Sequence, residues 1–262
     1  MARSMNRSYW DRISKDYQHE VLSVYDNDLN GTVEEKIAAA ALAYPEGRAA
    51  DLGCGIGRFI PSLADTFNEV EACDYTRVGL KKAKSRCRSR RNVRFHQVDL
   101  VRDCVPFEPV ECALCVNVLI MPSLDKRMRA WRAVSNQVAA GGTLLLVVPS
   151  YESAQMEFFR AVESRLSRGE KSAAAIRKSV DEQATVADMR MGVLQLDGVR
   201  TKHYFKEEVE LMIEERGFDL IETLKVEYAQ EISGTAVSSW DWMVVAKRRV
   251  PPLSYFRCRT MW

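Results

Sequence analysis

The stretch Asp51-Leu52-Gly53-Cys54-Gly55-Ile56-Gly57-Arg58 follows a short apolar run and opens a segment with helical periodicity. Glycines at a strand-to-helix turn let the backbone approach a ligand closely, and the helix that follows begins with free N–H groups. The glycines are spaced G-x-G-x-G, and Arg58 stands where a dinucleotide-binding fingerprint has its third glycine. No Gly-Lys-Ser or Gly-Lys-Thr occurs in the chain, which excludes a P-loop. The stretch therefore predicts the ligand-binding turn of an α/β fold.

Short apolar runs alternate with helical stretches around this turn. The runs predict strands at 49–52, 70–73, 93–98, 112–118 and 143–148, with helices near 57–67, 76–89 and 124–139 between them. Later in the chain, a helix that ends at Gly217 precedes strands at 220–227 and 240–247, and no helical pattern separates these two strands. Consecutive strands of this kind pair antiparallel. We therefore expect an α/β, Rossmann-like sheet of seven strands, mostly parallel with one antiparallel strand, and helices on both faces.

The N-terminal segment is predicted to be helical. A capping box at 8–11, followed by apolar residues at helical spacing over 10–24, predicts a first helix. A second capping box, at 32–35, predicts a helix that ends before Pro45. Together these helices form a predicted cap at the start of the chain.

The segment 150–203 interrupts the alternation. It predicts a helix around 159–166, a helix over 172–186 and a hairpin that turns at Asp197-Gly198. The segment begins at the carboxyl end of a strand, which is the edge where ligands of such sheets bind, so we expect a lid over the substrate. The predicted organisation is a single domain over 1–262, made of an N-terminal helical cap (1–45), a core sheet (46–149 and 204–248), a substrate lid inserted after the fifth strand (150–203) and an irregular basic tail (249–262).

The composition excludes several classes of protein. The chain has 262 residues, of which 47% are hydrophobic and 28% charged, so it is not a disordered, collagen-like or coiled-coil protein. Its net charge of +2 is too small to indicate nucleic acid or an anionic membrane as a partner. No apolar stretch approaches the roughly 18 residues of a spanning helix, and the N-terminus has no apolar signal region. We therefore expect a cytoplasmic protein without a membrane partner.

Two local patterns suggest sites but have simpler structural interpretations. The one CxxC, Cys112 to Cys115, lies in an apolar run; residues three apart on a strand point to opposite faces, so we predict buried packing and no metal site. The segment 77–94 holds nine basic residues and no acid. We interpret it as a solvated outer helix, with an RNA-docking face as the alternative.

The motifs taken together resemble those of class I S-adenosylmethionine-dependent methyltransferases. The stretch 51–58 is similar to the first motif of that superfamily, the strand that ends at Asp74 to the second, and 95–100 to the third. Asn117-Val118-Leu119 resembles the segment after the fourth strand, and Gly141-Gly142 and Gly217-Phe218 match the approaches to later strands. The resemblance covers residues 9–149 and 204–247.

This resemblance implies S-adenosylmethionine as the cofactor and no metal. It implies that Asp74 accepts hydrogen bonds from the ribose hydroxyls, and that Asp99 and the following backbone bind the adenine edge. A carboxylate can accept two adjacent hydroxyls, which fits that role. The expected cofactor-binding residues are Asp51, Gly53, Cys54, Gly55, Gly57, Arg58, Asp74, Tyr75, Asp99, Leu100, Asn117 and Val118.

The resemblance also narrows the class of molecule that is expected to accept the methyl group. The chain has no Asn-Pro-Pro-Tyr type motif after the fourth strand, no Pro-Cys pair, and no acid at the end of the fifth strand. We therefore expect transfer of the methyl group to an N or O atom of a small molecule by in-line displacement. The alternatives are an RNA- or protein-directed methyltransferase and a non-catalytic S-adenosylmethionine-binding protein. The oligomeric state stays open. Expected acceptor-binding residues are Tyr9, Trp10, Tyr17, Met121, Tyr151 and His203, and the candidates for a catalytic base are Tyr17, His19, His203 and Tyr204.

Overall fold

The computed structural model describes residues 5–16, 23–179, 185–196, 199–232 and 235–251. Its strands are β1 Arg48–Leu52, β2 Glu69–Asp74, β3 Val93–Gln97, β4 Val110–Val116, β5 Val138–Pro149, β6 Val193–Leu196, β7 Val199–Lys202, β8 Phe218–Ile232 and β9 Thr235–Arg248. Its helices are α1 Arg7–Ile13, α2 Val24–Asn27, α3 Thr32–Ala43, α4 Ile60–Thr66, α5 Arg77–Arg86, α6 Leu124–Asn136, α7 Tyr151–Ser167, α8 Ser172–Ser179, α9 Val186–Arg190 and α10 Lys206–Glu215.

Seven strands form one sheet in the order β3-β2-β1-β4-β5-β9-β8. β1 pairs parallel with β2 and β4, β3 with β2, and β5 with β4, whereas β9 pairs antiparallel with both β5 and β8. The predicted mostly parallel sheet with one reversed strand is confirmed, and β9 is that strand. The carboxyl ends of β1, β2, β3 and β4 consequently meet at one edge, on either side of the point where the strand order reverses.

Two apolar clusters cover the two faces of the sheet. On one face, α6 and α10 contribute Trp131 and Ile213, and the Trp131 ring stacks on Phe218 at 6.1 Å. On the other face, α3 and α4 contribute Ile37 and Leu63. Cys112 and Cys115 are both buried but belong to opposite faces, as their spacing on a strand predicts. The central strands read as continuous apolar runs because both of their faces are buried.

The N-terminal helices differ from the prediction. α1 ends at Ile13, and Val24 begins a separate helix, so the predicted continuous helix over 10–24 is wrong. Asn6 caps α1 instead of Ser8, because its side chain accepts the Tyr9 N–H. Asp11, the second residue of the predicted capping box, instead makes a tertiary contact. Its carboxylate accepts the backbone N–H of Val78 at the start of α5. Residues 17–22 of the predicted helix lie outside the described residues.

Two other predicted helix boundaries also change. Gly31, with no side-chain cap, stands at the N-cap of α3, so the predicted capping box at 32–35 does not form. The predicted helix over 172–186 is two helices: α8 ends at Ser179, and Thr185 caps α9 through a capping box with Asp188. The intervening residues 180–184 lie outside the described part of the chain.

The segment 150–203 is attached to the sheet at both of its ends. At its start, Glu152 accepts the indole N–H of Trp242 at 2.9 Å and the backbone N–H of Lys206 at 2.8 Å. At its end, the N–H groups of Lys202 and Tyr204 donate to the carbonyls of Ile120 (2.9 Å) and Pro149 (2.8 Å). These bonds lie at the carboxyl ends of β4 and β5. The antiparallel β6–β7 hairpin is confirmed, although its turn at 197–198 falls outside the described residues.

The basic segment 77–94 is largely exposed. Lys81, Lys82 and Lys84 on α5 are exposed, and Arg90 and Arg94 pair with surface carboxylates. In the basic tail, Arg249 pairs with Asp219 at 2.7 Å, and residues beyond 251 are not described. Among the residues that the structure describes, no helix combines the length and the apolar composition that crossing a membrane requires.

Candidate active site

A cavity of about 1110 Å³ opens at the carboxyl edge of the sheet. Its walls come from the loops after β1, β2, β3 and β4, from β8 and β9, from α1, and from the segment 150–203. Pockets for a single small ligand usually measure about 300–1,000 Å³, so this cavity has room for more than one small molecule.

The glycine-rich turn after β1 is held by close contacts on two sides. A side chain at Gly53, which has a φ of +85°, would place its Cβ 2.3 Å from a methyl carbon of Val118 after β4. A Cβ at Gly57 would lie 2.8 Å from the Cβ of Ala83 on α5. The backbone N–H groups of Gly53 and Cys54 both donate to the carbonyl of Cys73. Glycine at these positions lets the turn fit between β4 and α5, with its backbone facing the cavity.

Asp74 at the end of β2 joins the glycine turn to α5. One carboxylate oxygen accepts the backbone N–H and the hydroxyl of Thr76, both at 2.7 Å, and the other accepts the N–H of Gly55 at 3.0 Å. Burial raises the pKa of the Asp74 carboxyl, and the donors of Thr76 and Gly55 oppose that shift. The oxygen bonded to Gly55 has capacity for another donor from the cavity.

Asp51 is a buried carboxyl at the base of the same cavity. Its side chain is 4% exposed, and burial, with a smaller contribution from the charge of Asp74, raises its pKa to about 7. Among the residues that the structure describes, no Lys, Arg or His pairs with it. A buried carboxylate without a counter-ion favours a positively charged group beside it, and the ammonium of an aminocarboxylate ligand is such a group.

Asp99 follows β3 and lies beside an apolar part of the wall. One of its oxygens accepts the N–H of Val101 at 3.0 Å, and the guanidinium of Arg102 lies 3.8 Å from the other. Val98 and Leu100, on either side of Asp99, are buried and line the cavity. An acceptor carboxylate flanked by apolar side chains suits a flat heterocycle with an exocyclic amino group.

Asn117 leaves the end of β4 with a φ of +52°, in the left-handed region that asparagine tolerates better than most residues. Its side-chain N–H donates to Asp241 on β9 at 2.8 Å, and Asp241 also accepts the hydroxyl of Tyr228 on β8 at 2.9 Å. Asp241 and Tyr228 line the cavity and were missed by the sequence analysis. The available signal was an acid placed between two tryptophans in an otherwise apolar strand, Trp240-Asp241-Trp242.

The structure brings most of the predicted site residues to this cavity. Of the expected cofactor-binding residues, Gly57 does not line it, because it packs against α5; the others do: Asp51, Gly53, Cys54, Gly55, Arg58, Asp74, Tyr75, Asp99, Leu100, Asn117 and Val118. Arg58 also pairs with Asp26 of α2, with 2.9 Å between its guanidinium nitrogen and the carboxylate oxygen. Of the expected acceptor-binding residues, Tyr9, Trp10, Met121 and His203 line the cavity.

Besides Gly57, two residues predicted for the acceptor site or for catalysis, Tyr151 and Tyr204, do not reach the cavity. The ring of Tyr151 packs against Phe205, with 4.6 Å between ring centroids, and the buried hydroxyl of Tyr204 donates to the carbonyl of Leu119 at 2.6 Å. Tyr204 therefore has a structural role, because its hydroxyl proton is committed to the backbone. The remaining candidates, Tyr17 and His19, lie outside the described residues.

His203 is a buried, uncharged imidazole at the cavity. Burial lowers its pKa to about 4, and its Nδ1 lies 3.1 Å from the carbonyl oxygen of Thr201. A carbonyl only accepts, so Nδ1 carries the ring proton and Nε2 keeps its lone pair. Within the described part of the chain, no three or more side chains of His, Cys, Asp or Glu gather in a way that could hold a metal ion.

Comparison with known proteins gives a match to one family model and several solved structures of similar fold. Residues 49–142 match the family model of a methyltransferase domain. The magnesium protoporphyrin IX methyltransferase ChlM of Synechocystis PCC 6803, solved with bound S-adenosylhomocysteine, is 13% identical with a TM-score of 0.58, over 92% of this chain and 97% of that one. The N-methyltransferase NodS of Bradyrhizobium japonicum, also solved with S-adenosylhomocysteine, is 11% identical with a TM-score of 0.55, over 85% and 89%.

A third similar structure is an S-adenosylmethionine-dependent methyltransferase of Methanosarcina mazei, 15% identical with a TM-score of 0.53, over 78% of this chain and 93% of that one. A search of curated proteins gave no match. Residues 49–142 therefore resemble a methyltransferase domain, and the chain shares its fold with these solved structures. The matched model is that of a methyltransferase domain, and two of the similar structures hold S-adenosylhomocysteine, the product that S-adenosylmethionine leaves after methyl transfer.

Replacing Gly53 by alanine should destabilise the protein through two separate effects. The φ of +85° strains any L side chain by about 1–2 kcal/mol, and contact with Val118 adds about 1–3 kcal/mol. Gly217→Ala is the matched control, because its φ is +78° but no atom lies within 4 Å of the new Cβ. Denaturant unfolding should show a larger loss for Gly53→Ala; equal losses would disprove the close contact.

Asp51→Asn should stabilise the ligand-free protein at high pH only. Below pH 4 the carboxyl is neutral in both the folded and the unfolded state. Between pH 4 and 7 the unfolded chain ionises while the folded carboxyl, with its pKa of about 7, does not, so the wild-type protein loses stability as pH rises. The difference in unfolding free energy between variant and wild type should therefore grow by up to about 4 kcal/mol from pH 4 to pH 8. A difference that does not change with pH would contradict this account.

Proposed function

We propose that the chain transfers the methyl group of S-adenosylmethionine to an N or O atom of a small-molecule acceptor. The proposal rests on one observation: a single cavity has two walls of different chemical character. One wall consists of the glycine turn, Asp74 and Asp99, and the other of side chains from α1 and the segment 150–203. The volume of about 1110 Å³ leaves room for an acceptor beside a bound cofactor.

The first wall would hold the cofactor through charges and hydrogen bonds already present. Asp74 would accept the ribose hydroxyls, Asp99 would accept the adenine amino group, and the buried Asp51 would lie beside the ammonium of the aminocarboxylate end. Arg58, which pairs with Asp26 at the cavity wall, would attract the carboxylate. When bound, the cofactor supplies a methyl group on a positively charged sulfur atom, which needs no further activation.

The second wall would bind the acceptor and exclude water. Tyr9 and Trp10 pack edge to face at 5.2 Å between ring centroids, and Met121 lies after β4. Such side chains provide apolar contact for the body of a small molecule. We propose that the segment 150–203 acts as the lid, because its attachments to Ile120 and Pro149 keep it over the carboxyl ends of β4 and β5.

His203 would act as the general base for this reaction. The acceptor atom must approach in line with the bond that breaks, and its proton must then leave. His203 is neutral over the physiological pH range because its pKa is about 4, and Nε2 is its basic atom. An imidazole that stays unprotonated can accept a proton in every turnover, although a pKa of about 4 makes it a weak base that would pass the proton on to water rather than hold it.

Asp74→Asn should weaken S-adenosylmethionine binding by about 1–3 kcal/mol, because the neutral amide cannot accept both ribose hydroxyls and the existing N–H donors. Isothermal titration calorimetry measures this change, and Asp125→Asn, an exposed carboxyl on α6, is the control that should leave it unaltered. If the protein binds a nicotinamide dinucleotide and neither S-adenosylmethionine nor S-adenosylhomocysteine, the proposed function is wrong.

His203→Gln should lower kcat by about 10²-fold and leave cofactor affinity unchanged. The acceptor would come from a screen of metabolites for release of S-adenosylhomocysteine. His96→Gln is the matched control, because His96 bonds to Glu71 at 2.6 Å away from the cavity. An unchanged kcat in His203→Gln would remove this residue from the proton transfer.

A further inference from the structure

A second acidic group lines the cavity on the half of the sheet away from the glycine turn. Asp241 lies on β9, three strands along from β1 in the sheet order. Its Oδ2 atom accepts from the side chain of Asn117 and from the hydroxyl of Tyr228, and the carboxylate also accepts a backbone hydrogen bond from Ser150. Loss of surrounding water raises the pKa of Asp241. The cofactor residues proposed above make no use of this group.

Glu157 on α7 lies close enough to Asp241 for their charges to interact. The hydroxyl of Ser153 donates to Glu157 at 3.4 Å and accepts the backbone N–H of Trp240, the residue before Asp241, at 2.9 Å. The negative charge of Glu157 adds to the rise in the pKa of Asp241. Both carboxylates line the cavity.

Among the described residues, no Lys, Arg or His side chain forms an ion pair with Asp241 or Glu157. Lys225 is the neighbour of the β8 residue that lies opposite Asp241, and its ammonium lies 3.8 Å from the centre of the Trp240 ring. Asp241 is opposite Val226 in the β8–β9 register, so its side chain shares a face with Val226 and Tyr228, and Lys225 projects from the other face. Two carboxylates in a partly dry cavity without a counter-ion are unfavourable, and a cationic ligand relieves that cost.

Asn117 adds an acceptor to the same place. Asp241 only accepts when ionised, so the amide nitrogen of Asn117 donates to it, and the amide oxygen is the atom that is left for another donor. That oxygen is buried and has no hydrogen-bond partner among the described residues. Such an atom costs about 1–3 kcal/mol when it stays unpaired. A hydrogen-bond donor would pair this oxygen, and the two neighbouring carboxylates favour a positively charged one.

We propose that Asp241, Glu157 and Asn117 bind an ammonium group of the methyl acceptor, so that the substrates are small molecules with a basic amine. This inference rests on the proposed function. An ammonium has no lone pair, so the group bound here anchors the molecule and a different N or O atom of it receives the methyl group. The three donors of an ammonium match the acceptors that Asp241, Glu157 and Asn117 present.

The test measures binding to the protein loaded with S-adenosylhomocysteine, by calorimetry, and needs no turnover. The probes are matched series on a phenol and on an imidazole: tyramine, tyrosol and 4-hydroxyphenylacetate, and histamine, histaminol and imidazole acetate. In at least one series the amine should bind about tenfold or more tightly than the alcohol, a difference of about 1.4 kcal/mol, and the acid should bind most weakly. Failure of the amine to bind more tightly in both series, including the absence of any binding, overturns the proposal.

Substitutions test whether Asp241 and Glu157 cause the preference for the amine over the alcohol. Asp241→Asn should abolish the preference for amine over alcohol, and Glu157→Gln, on a half-buried helix position, should reduce it several-fold; Asp125→Asn should preserve it. Far-UV circular dichroism and S-adenosylhomocysteine affinity establish that each variant is folded. If Asp241→Asn does not fold, Glu157→Gln decides, and a full preference in a folded variant overturns the proposal.

A competing role for Asp241 is to face the positive sulfur of the cofactor. In that case Asp241→Asn weakens binding of S-adenosylmethionine more than binding of uncharged S-adenosylhomocysteine, and this result also overturns the proposal. Failure of the proposed function looks different: the wild-type protein then binds neither cofactor form. Binding of both cofactor forms without an amine preference overturns the ammonium site alone.

Discussion

The Asp74 carboxylate is the interaction on which the cofactor half of the molecule depends. It holds the N–H of Gly55 with one oxygen and Thr76 with the other, so the end of β2, the glycine turn after β1 and the start of α5 keep one arrangement. Each contact needs the others: the turn can approach α5 only because Gly57 lacks a side chain, and it can pass β4 only because Gly53 does. The same carboxylate retains capacity for a ligand, so structural support and ligand recognition use one group.

Much of the sheet could be predicted from the sequence because its strands are buried on both faces. Runs such as 112–118 contain almost only apolar residues, and their spacing leaves few alternatives to strands separated by helices. The meeting of the proposed cofactor-binding residues at one edge of the sheet was predictable as well, since parallel strands bring their carboxyl ends together and each motif ends a strand. Asp51, Asp74 and Asp99 reach one cavity for this reason.

The remaining parts depend on contacts between residues far apart in the chain. Asp11 fits a capping box by its spacing, but the N–H of Val78, 67 residues later, is its partner, and Asn6 takes the cap. Tyr204 resembles a catalytic tyrosine by position, yet its hydroxyl bonds to a carbonyl 85 residues earlier. Asp241 was hidden for the opposite reason: it lies in a strand that reads as apolar, and only the sheet register brings it to Asn117. Patterns of local spacing carry no information on such pairs.

The bonds that attach the segment 150–203 to the sheet have a consequence for how this chain can diverge. Apart from the carboxylate of Glu152, which accepts from Trp242 and Lys206, these attachments use main-chain atoms, which nearly every amino acid supplies: the N–H groups of Lys202 and Tyr204 and the carbonyls of Ile120 and Pro149. Substitutions and insertions between these attachment points can therefore reshape one wall of the cavity while the glycine turn and Asp74 stay unaltered. Under the proposed function, the two halves of the site are then free to change at different rates, and new acceptor preferences can arise in the segment without loss of the methyl donor.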